Sequence, residues 1–137
     1  MKFACAAKAF IVKDNAVLLV KRRPNDVHKP SEWDIPGGRL EPGENPHDGL
    51  KREAREEVGM DILICAPIHV QHFTRDDGQQ ISLTVFLCSS DTSDITLSEE
   101  HTEYAWVPLD APEDAFPFWI PPVVSQIKEH KLLNALN

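Results

Sequence analysis

The chain has 137 residues, 42% apolar and 26% charged, enough for the core of one ordinary domain and too apolar for a disordered chain. Fourteen Lys and Arg against twenty-two Asp and Glu leave a net charge of −8, which argues against non-specific binding to nucleic acid or to an anionic membrane surface. The longest apolar run, 62–68, is seven residues long and contains Pro67, far short of the roughly 20 that span a bilayer. Lys8 interrupts the N-terminal apolar stretch too early for a signal-peptide core. Cys5, Cys65 and Cys88 are odd in number and lack a CxxC spacing, so they read as reduced thiols. The expectation is one cytoplasmic domain over 1–137, with no membrane segment and no zinc ribbon.

In chain order, 3–12 and 16–20 are β-leaning runs across an Asp14-Asn15 turn signal, which predicts a hairpin. A polar loop follows over 24–31, then a short strand at 33–35 stopped by Pro36-Gly37-Gly38. The helix signal is the strongest local one. Asn45 suits the N-cap, Pro46 the first helical position and Asp48 the positive first turn, while Gly59 suits the terminator. Gly49 is the weak position, about 1 kcal/mol worse than Ala, and points to something packed against the backbone there. Two further β-branched runs, 60–74 and 80–89, flank a second hairpin turn. A polar loop is expected over 91–103, a short strand over 104–107 and a terminal helix over 123–136. This order predicts a mixed α/β fold, without a regular βαβ repeat.

At 100° per residue, Glu53, Glu56 and Glu57 share an arc of about 100°, directly beside an apolar stripe of Leu50, Ala54 and Val58. The arrangement is unfavourable on its own. Glu53–Glu56 and Glu53–Glu57 each repel by about 0.2–0.5 kcal/mol. All three acids also sit toward the negative end of the helix dipole. A solvated charged face is the ordinary explanation of such a helix. The sharper one is a divalent-cation site, because hard ions take oxygen ligands from carboxylates, water and substrate phosphates.

The surroundings favour the cation. Gly38, five residues, Glu44, seven residues, then Arg52-Glu53-Ala54-Arg55-Glu56-Glu57-Val58-Gly59-Met60 fill every fixed position of G-x5-E-x7-R-E-U-x-E-E-x-G-U, where U is aliphatic. Seven fixed residues coincide by accident about once in a hundred million trials on average usage. The segment 38–60 resembles the Nudix box, and the chain is identified as a member of the Nudix hydrolase family, closest in size to its MutT-type branch. The resemblance implies an α/β/α sandwich with a mixed β-sheet and a loop-helix-loop catalytic motif. It implies Mg²⁺, or Mn²⁺, as cofactor, and Glu53, Glu56, Glu57 and the carbonyl of Gly38 as metal ligands. Glu44 and Arg52 would form the supporting pair that orients the site. Gly37 and Gly59 would serve the backbone geometry. The proton acceptor is Glu53, Glu56 or a downstream acid, with Glu103 the first such candidate and Glu99 and Glu100 behind it.

Outside the box, Lys21-Arg22-Arg23 ends a strand, and Arg22 or Arg23 is suited to grip substrate phosphates. Strand alternation places Arg22 on one face and Lys21 and Arg23 on the other. Phe73, Phe116, Phe118 and Trp119 are candidates to stack on a base, and His28 to bond the substrate. The chain lacks the S-Q-P-W-P run of NADH pyrophosphatases, and its one tyrosine, Tyr104, lies too far downstream for the diadenosine-polyphosphate marker. The expected reaction is therefore hydrolysis of an NTP or dNTP to the monophosphate and pyrophosphate by a monomer or homodimer. Action on ADP-ribose, nucleotide sugars or dinucleoside polyphosphates is an alternative, as is a non-catalytic nucleotide-binding regulatory module.

Overall fold

A computed structural model describes residues 2–136. The first strand, β1 (Phe3–Lys13), sets the plan, because alternation sends its side chains to two different cores. Ala7, Ala9 and Ile11 face one layer, and Ala6, Phe10 and Val12 face the other. One edge of β1 runs parallel to β6 (Gln80–Ser90), from Phe3↔Gln80 to Ile11↔Cys88. The long β5 (Ile62–Thr74) then pairs antiparallel with β6 beyond it.

The other edge of β1 is divided. Near its start it pairs with β4 (Gly37–Arg39) through Ala6↔Arg39, Ala7↔Gly38 and Lys8↔Gly37. Near its end it pairs with β2 (Ala16–Arg22), but only through Val12↔Val17 and Lys13↔Ala16. The predicted hairpin thus exists at its turn, where Asp14 and Asn15 both hold positive φ, and then splays apart. Beyond the splay, β2 continues the sheet through β3 (Trp33–Asp34) and β7 (His101–Pro108). Two strands differ from the sequence reading. The two glycines of the Pro36-Gly37-Gly38 stop themselves open β4, and β7 begins three residues earlier than expected because His101 pairs with Arg22.

One helix covers each face, giving the α/β/α sandwich with a mixed sheet. Helix α1 (Pro46–Val58) inserts Leu50, Ala54 and Val58 against Ala7, Ala9, Ile11, Leu18 and Val20. The alanines of β1 let this helix sit close to the sheet. Helix α2 (Pro121–Glu129) covers the opposite face with Val123, Val124 and Ile127, followed by a 3-10 turn over Leu132–Leu136. The predicted terminal helix is therefore shorter and starts earlier.

Both ends of α1 are secured by the predicted groups. The Asn45 side chain accepts the His47 N–H at 2.8 Å, and Gly59 at φ 67° donates back to Ala54 and Arg55. The segment between β6 and β7, expected only as polar loop, completes the C-terminal cap. Thr96 N–H donates to the Val58 carbonyl at 2.9 Å and Ser98 N–H to the Glu57 carbonyl at 3.0 Å. These carbonyls would otherwise lack partners at the helix end.

Gly49 has the close neighbour its weak propensity pointed to. A Cβ there would lie 2.5 Å from Leu40 Cδ2 and 2.8 Å from Glu44 Oε1. Leu40 can yield, but Glu44 is held by Arg52 and cannot move without breaking that pair. Gly49→Ala is therefore expected to destabilise the protein by about 1–3 kcal/mol despite its better helix propensity. Equilibrium urea unfolding measures this, and a gain in stability would contradict the packing described.

Candidate active site

The backbone turn that enters the site is fixed by space. Gly37 has φ 135°, and a Cβ on it would run into the Ala7 carbonyl and the Lys8 Cα. Its N–H donates to Glu57 Oε2 at 2.7 Å, a buried bond that ties the first residue of β4 to the last turn of α1. Gly38 stands over the Glu53 carboxylate, since a Cβ there would lie 3.3 Å from its carbon and both oxygens. The loop glycines and the helix acids therefore meet at one place.

Arg52 organises the other side. Its Nε and Nη2 fork onto the two oxygens of Glu44 at 2.8 and 2.9 Å, and its Nη1 reaches Glu53 at 3.3 Å and Glu56 at 3.1 Å. Such bidentate, charge-assisted pairing fixes orientation as well as charge. Hydrogen bonds from Arg52, and then from the Glu41 N–H, hold the Glu44 carboxyl down at about 2. Glu44 thus pins the turn at residue 41 to the helix through one guanidinium.

For Glu57 and Glu53, burial disfavours the charged form more than their neighbours offset. Burial pushes the Glu57 carboxyl up to about 8, against the opposing pull of Lys8 and the Gly37 N–H. Burial raises Glu53 as well, and the charge of Glu100 acts in the same direction on both. Glu56 is more exposed, with 59% of its side chain accessible. Among the described residues, no three His, Cys, Asp or Glu side chains are already gathered as a ligand cage. The donor set nonetheless fits a hard divalent cation. It is all oxygen, it lies on a rigid helix beside a close-approaching glycine, and burial penalises its carboxylates in a way that a bound cation would relieve.

The downstream acids separate clearly. Glu103 lies on β7 with the alternation of Ala105 and Val107, on the face away from α1, and pairs with Lys21 Nζ at 3.3 Å. Glu100 lies at the end of the segment that caps α1, and its carbonyl accepts the Arg23 N–H at 2.8 Å. Glu99 is its exposed neighbour. The basic pair departs from simple alternation, because the β2–β7 register shifts between Lys21 and Arg22. As a result Arg22 Nη1 and Arg23 Nε both face Asp26, at 3.3 and 3.5 Å. The Arg23 Nε is buried without a hydrogen-bond partner.

Of the aromatic candidates, Phe116, Phe118 and Trp119 line a cleft on the α2 side of the sheet, whereas Phe73 packs against the core of that face. His28 Nε2 meets Arg75 Nη2 at 2.8 Å, across to the tip of the β5–β6 hairpin. Sequence reasoning assigned no site role to Lys8 and Asp34, whose partly buried ion pair at 2.9 Å stands beside the Gly37 turn. It also passed over His101. That imidazole is 8% exposed, its Nδ1 has no partner, and burial followed by the positive charges of Arg22 and Lys8 pushes it down to about 4.

The His101 shift fixes the sign of one pH effect. An unfolded histidine titrates near 6.5, so between there and about 4 the unfolded chain binds a proton that the folded one does not. The contribution is fully present above pH 6.5 and is lost as pH falls through that window. His101→Asn is expected to flatten this part of the profile relative to the parent protein. Melting temperatures of the two proteins from pH 7 to pH 4 measure it, and parallel curves would contradict it.

Comparison with known proteins agrees with this geometry. The family model for the NUDIX domain matches residues 2–127. A curated relative, nucleoside triphosphatase NudI of Escherichia fergusonii, is 37% identical over 108 residues, covering 71% of this chain and 76% of the relative. The MutT protein of Methanosarcina mazei Go1 superposes with a TM-score of 0.84 at 25% identity, covering 95% of this chain and 96% of that one. A MutT NUDIX hydrolase from Burkholderia pseudomallei shares the fold at a TM-score of 0.79 and 22% identity, over 93% of this chain and 99% of its own. With the box residues meeting as described and the family matched across nearly its whole length, the chain belongs to the Nudix hydrolase family of enzymes.

Proposed function

We propose that the protein hydrolyses a nucleoside or deoxynucleoside triphosphate to the monophosphate and pyrophosphate, using Mg²⁺, with Mn²⁺ as a substitute. The observation that carries this reading is the placement of Glu57 and Glu53 against the Gly37-Gly38 turn, with Glu56 held beside Glu53 by Arg52 and with burial raising the Glu53 and Glu57 carboxyls. The nucleoside triphosphatase named among its relatives supports the substrate class. Glu53, Glu56, Glu57 and the Gly38 carbonyl would hold the ion. Bound there, it would neutralise phosphate oxygens and acidify a water molecule.

The chain's own residues supply the rest. Arg52 and Glu44 hold the helix acids in place against their mutual repulsion. Arg22 and Arg23, both turned toward Asp26, would receive the distal phosphates. A carboxylate takes the proton from the attacking water. Glu53 or Glu56 would serve within the box, or a downstream acid would, and we favour Glu100 over Glu103 there because it ends the segment that caps α1, whereas Glu103 pairs with Lys21. The free thiols of Cys5, Cys65 and Cys88 suit the reducing cytoplasm, and no helix among the described residues is long and apolar enough to cross a membrane.

Glu56→Gln removes one anionic oxygen donor while keeping the helix and its size. It should lower kcat on the best triphosphate by at least about 100-fold, a loss typical of deleting a group that stabilises developing charge. A colorimetric assay for released pyrophosphate, run with Mg²⁺ and with excess chelator, measures this. Undiminished turnover in the variant or in chelator would overturn the reading, and tight nucleotide binding without turnover in the parent protein would assign a regulatory role instead.

A further inference from the structure

Strict alternation along β7 would put His101 on the face away from α1. Glu103, Ala105 and Val107 form one series on that face, where Ala105 and Val107 line the cleft, and His101 is the next member of the series. Thr102 interrupts it. Lys21 pairs with Glu103 and Arg22 with His101, so Thr102 is left without a partner on β2. Such a bulge re-aims the side chain beyond it. His101 therefore joins Val20, Arg22, Asp34 and Tyr104 on the face that α1 covers.

On that face the imidazole is closed in among charges. Lys8 from β1, Arg22 from β2, Asp34 from β3 and Asp26 from the loop after β2 all act on it. It is buried, and its Nδ1 meets no partner. Burial, and then the charges of Arg22 and Lys8, keep the ring neutral in the free protein. Lys8 and Asp34 already satisfy each other at 2.9 Å, which leaves Asp26 as the carboxylate open to exchange. Only 10% of its side chain is accessible, and one oxygen, Oδ2, meets both Arg22 Nη1 at 3.3 Å and Arg23 Nε at 3.5 Å. These are long, single-point contacts, unlike the fork of Arg52 on Glu44. Both guanidinium groups keep donors to offer a phosphate. A carboxylate left at that depth without a cation is costly.

We propose that His101 couples proton uptake to phosphate binding: as Arg22 and Arg23 turn from Asp26 to the distal phosphates, the imidazole takes a proton and replaces them as the counter-charge of Asp26. The inference rests on the reading of Arg22 and Arg23 as the phosphate grip and adds how pH governs it. The proton comes from solvent and returns there when the product leaves and the arginines swing back. His101 is thus a positioning residue, holding Asp26 and the loop after β2 in place while the arginines are engaged. Phosphate charge works in the same direction, because it offsets the Arg22 charge that disfavours the imidazolium. The bound form holds one more proton than the free form, so binding tightens as pH falls. The effect ends near 4, where the free protein is protonated as well.

The probe is the α,β-methylene analogue of dATP with Mg²⁺, titrated calorimetrically in two buffers of different ionisation enthalpy. At pH 6 the parent should take up at least about half a proton more than His101→Gln, since proton release by the nucleotide and by the helix acids is common to both proteins and cancels. From pH 7 to pH 5 the affinity of the parent should rise by at least about 10-fold relative to that variant, one proton setting a limit of about tenfold per pH unit. Asp26→Asn should lose the same uptake with His101 still present, and it keeps the test open if the His101 variant fails to fold. Equal uptake in the parent and a folded variant, or affinities that run parallel with pH, would overturn the coupling. A parent that hydrolyses triphosphates without this uptake keeps the reaction and loses the coupling. A parent that shows the uptake but hydrolyses no triphosphate keeps the coupling and loses the reaction. Failure of the analogue to bind would overturn both.

Discussion

The bond from the Gly37 N–H to the Glu57 carboxylate is the constraint on which the rest of the site depends. A buried carboxylate is costly unless something holds it, and here the holders are a backbone amide at 2.7 Å and the charge of Lys8. Because one partner is the first residue of β4 and the other lies on the last turn of α1, the bond sets the position of the helix relative to the sheet at the end where the acids lie. Gly37 has room for no other residue there. The neighbouring Gly38 brings the same stretch of backbone over Glu53.

A second tie works at right angles to the first. Arg52 reaches back to Glu44 and sideways to Glu53 and Glu56, so one guanidinium gathers three carboxylates that would otherwise push one another apart. Gly49 permits this by leaving space for the Glu44 carboxyl against the helix backbone. At the far end, Thr96 and Ser98 supply N–H groups to the last carbonyls of α1, and the segment that provides them delivers Glu100 to the same neighbourhood. Helix capping and delivery of a further acid are thus done by one stretch of chain.

The helix and its acid cluster were legible in the sequence because their signals are local: an Asn cap, a proline at the start, a terminal glycine and a repeating apolar stripe. What was not legible depends on distant partners. The β4 strand contains two glycines after a proline and has no strand propensity of its own; it exists because β1 offers it an edge. The extended pairing of β1 is with β6, some seventy residues on, so the adjacent hairpin looked longer than it is. The shift at Lys21/Arg22 turned Arg22 and Arg23 toward the same aspartate, which no alternation rule predicts. The pairing of Lys8 with Asp34 was not legible because the two lie twenty-six residues apart and no local pattern links them. Gly49 was the exception, a misfit residue that announced a close neighbour before the neighbour was known.

The division of one edge of β1 between β4 and β2 has a mechanical consequence. A continuous sheet would separate its two faces completely, whereas the fork between these partners leaves a notch at Lys8 and Gly37. The spacing between the aromatic cleft and the helix carboxylates is then set by a few residues of one strand, as in a calliper with a fixed jaw. A change at the notch would shift both ends together.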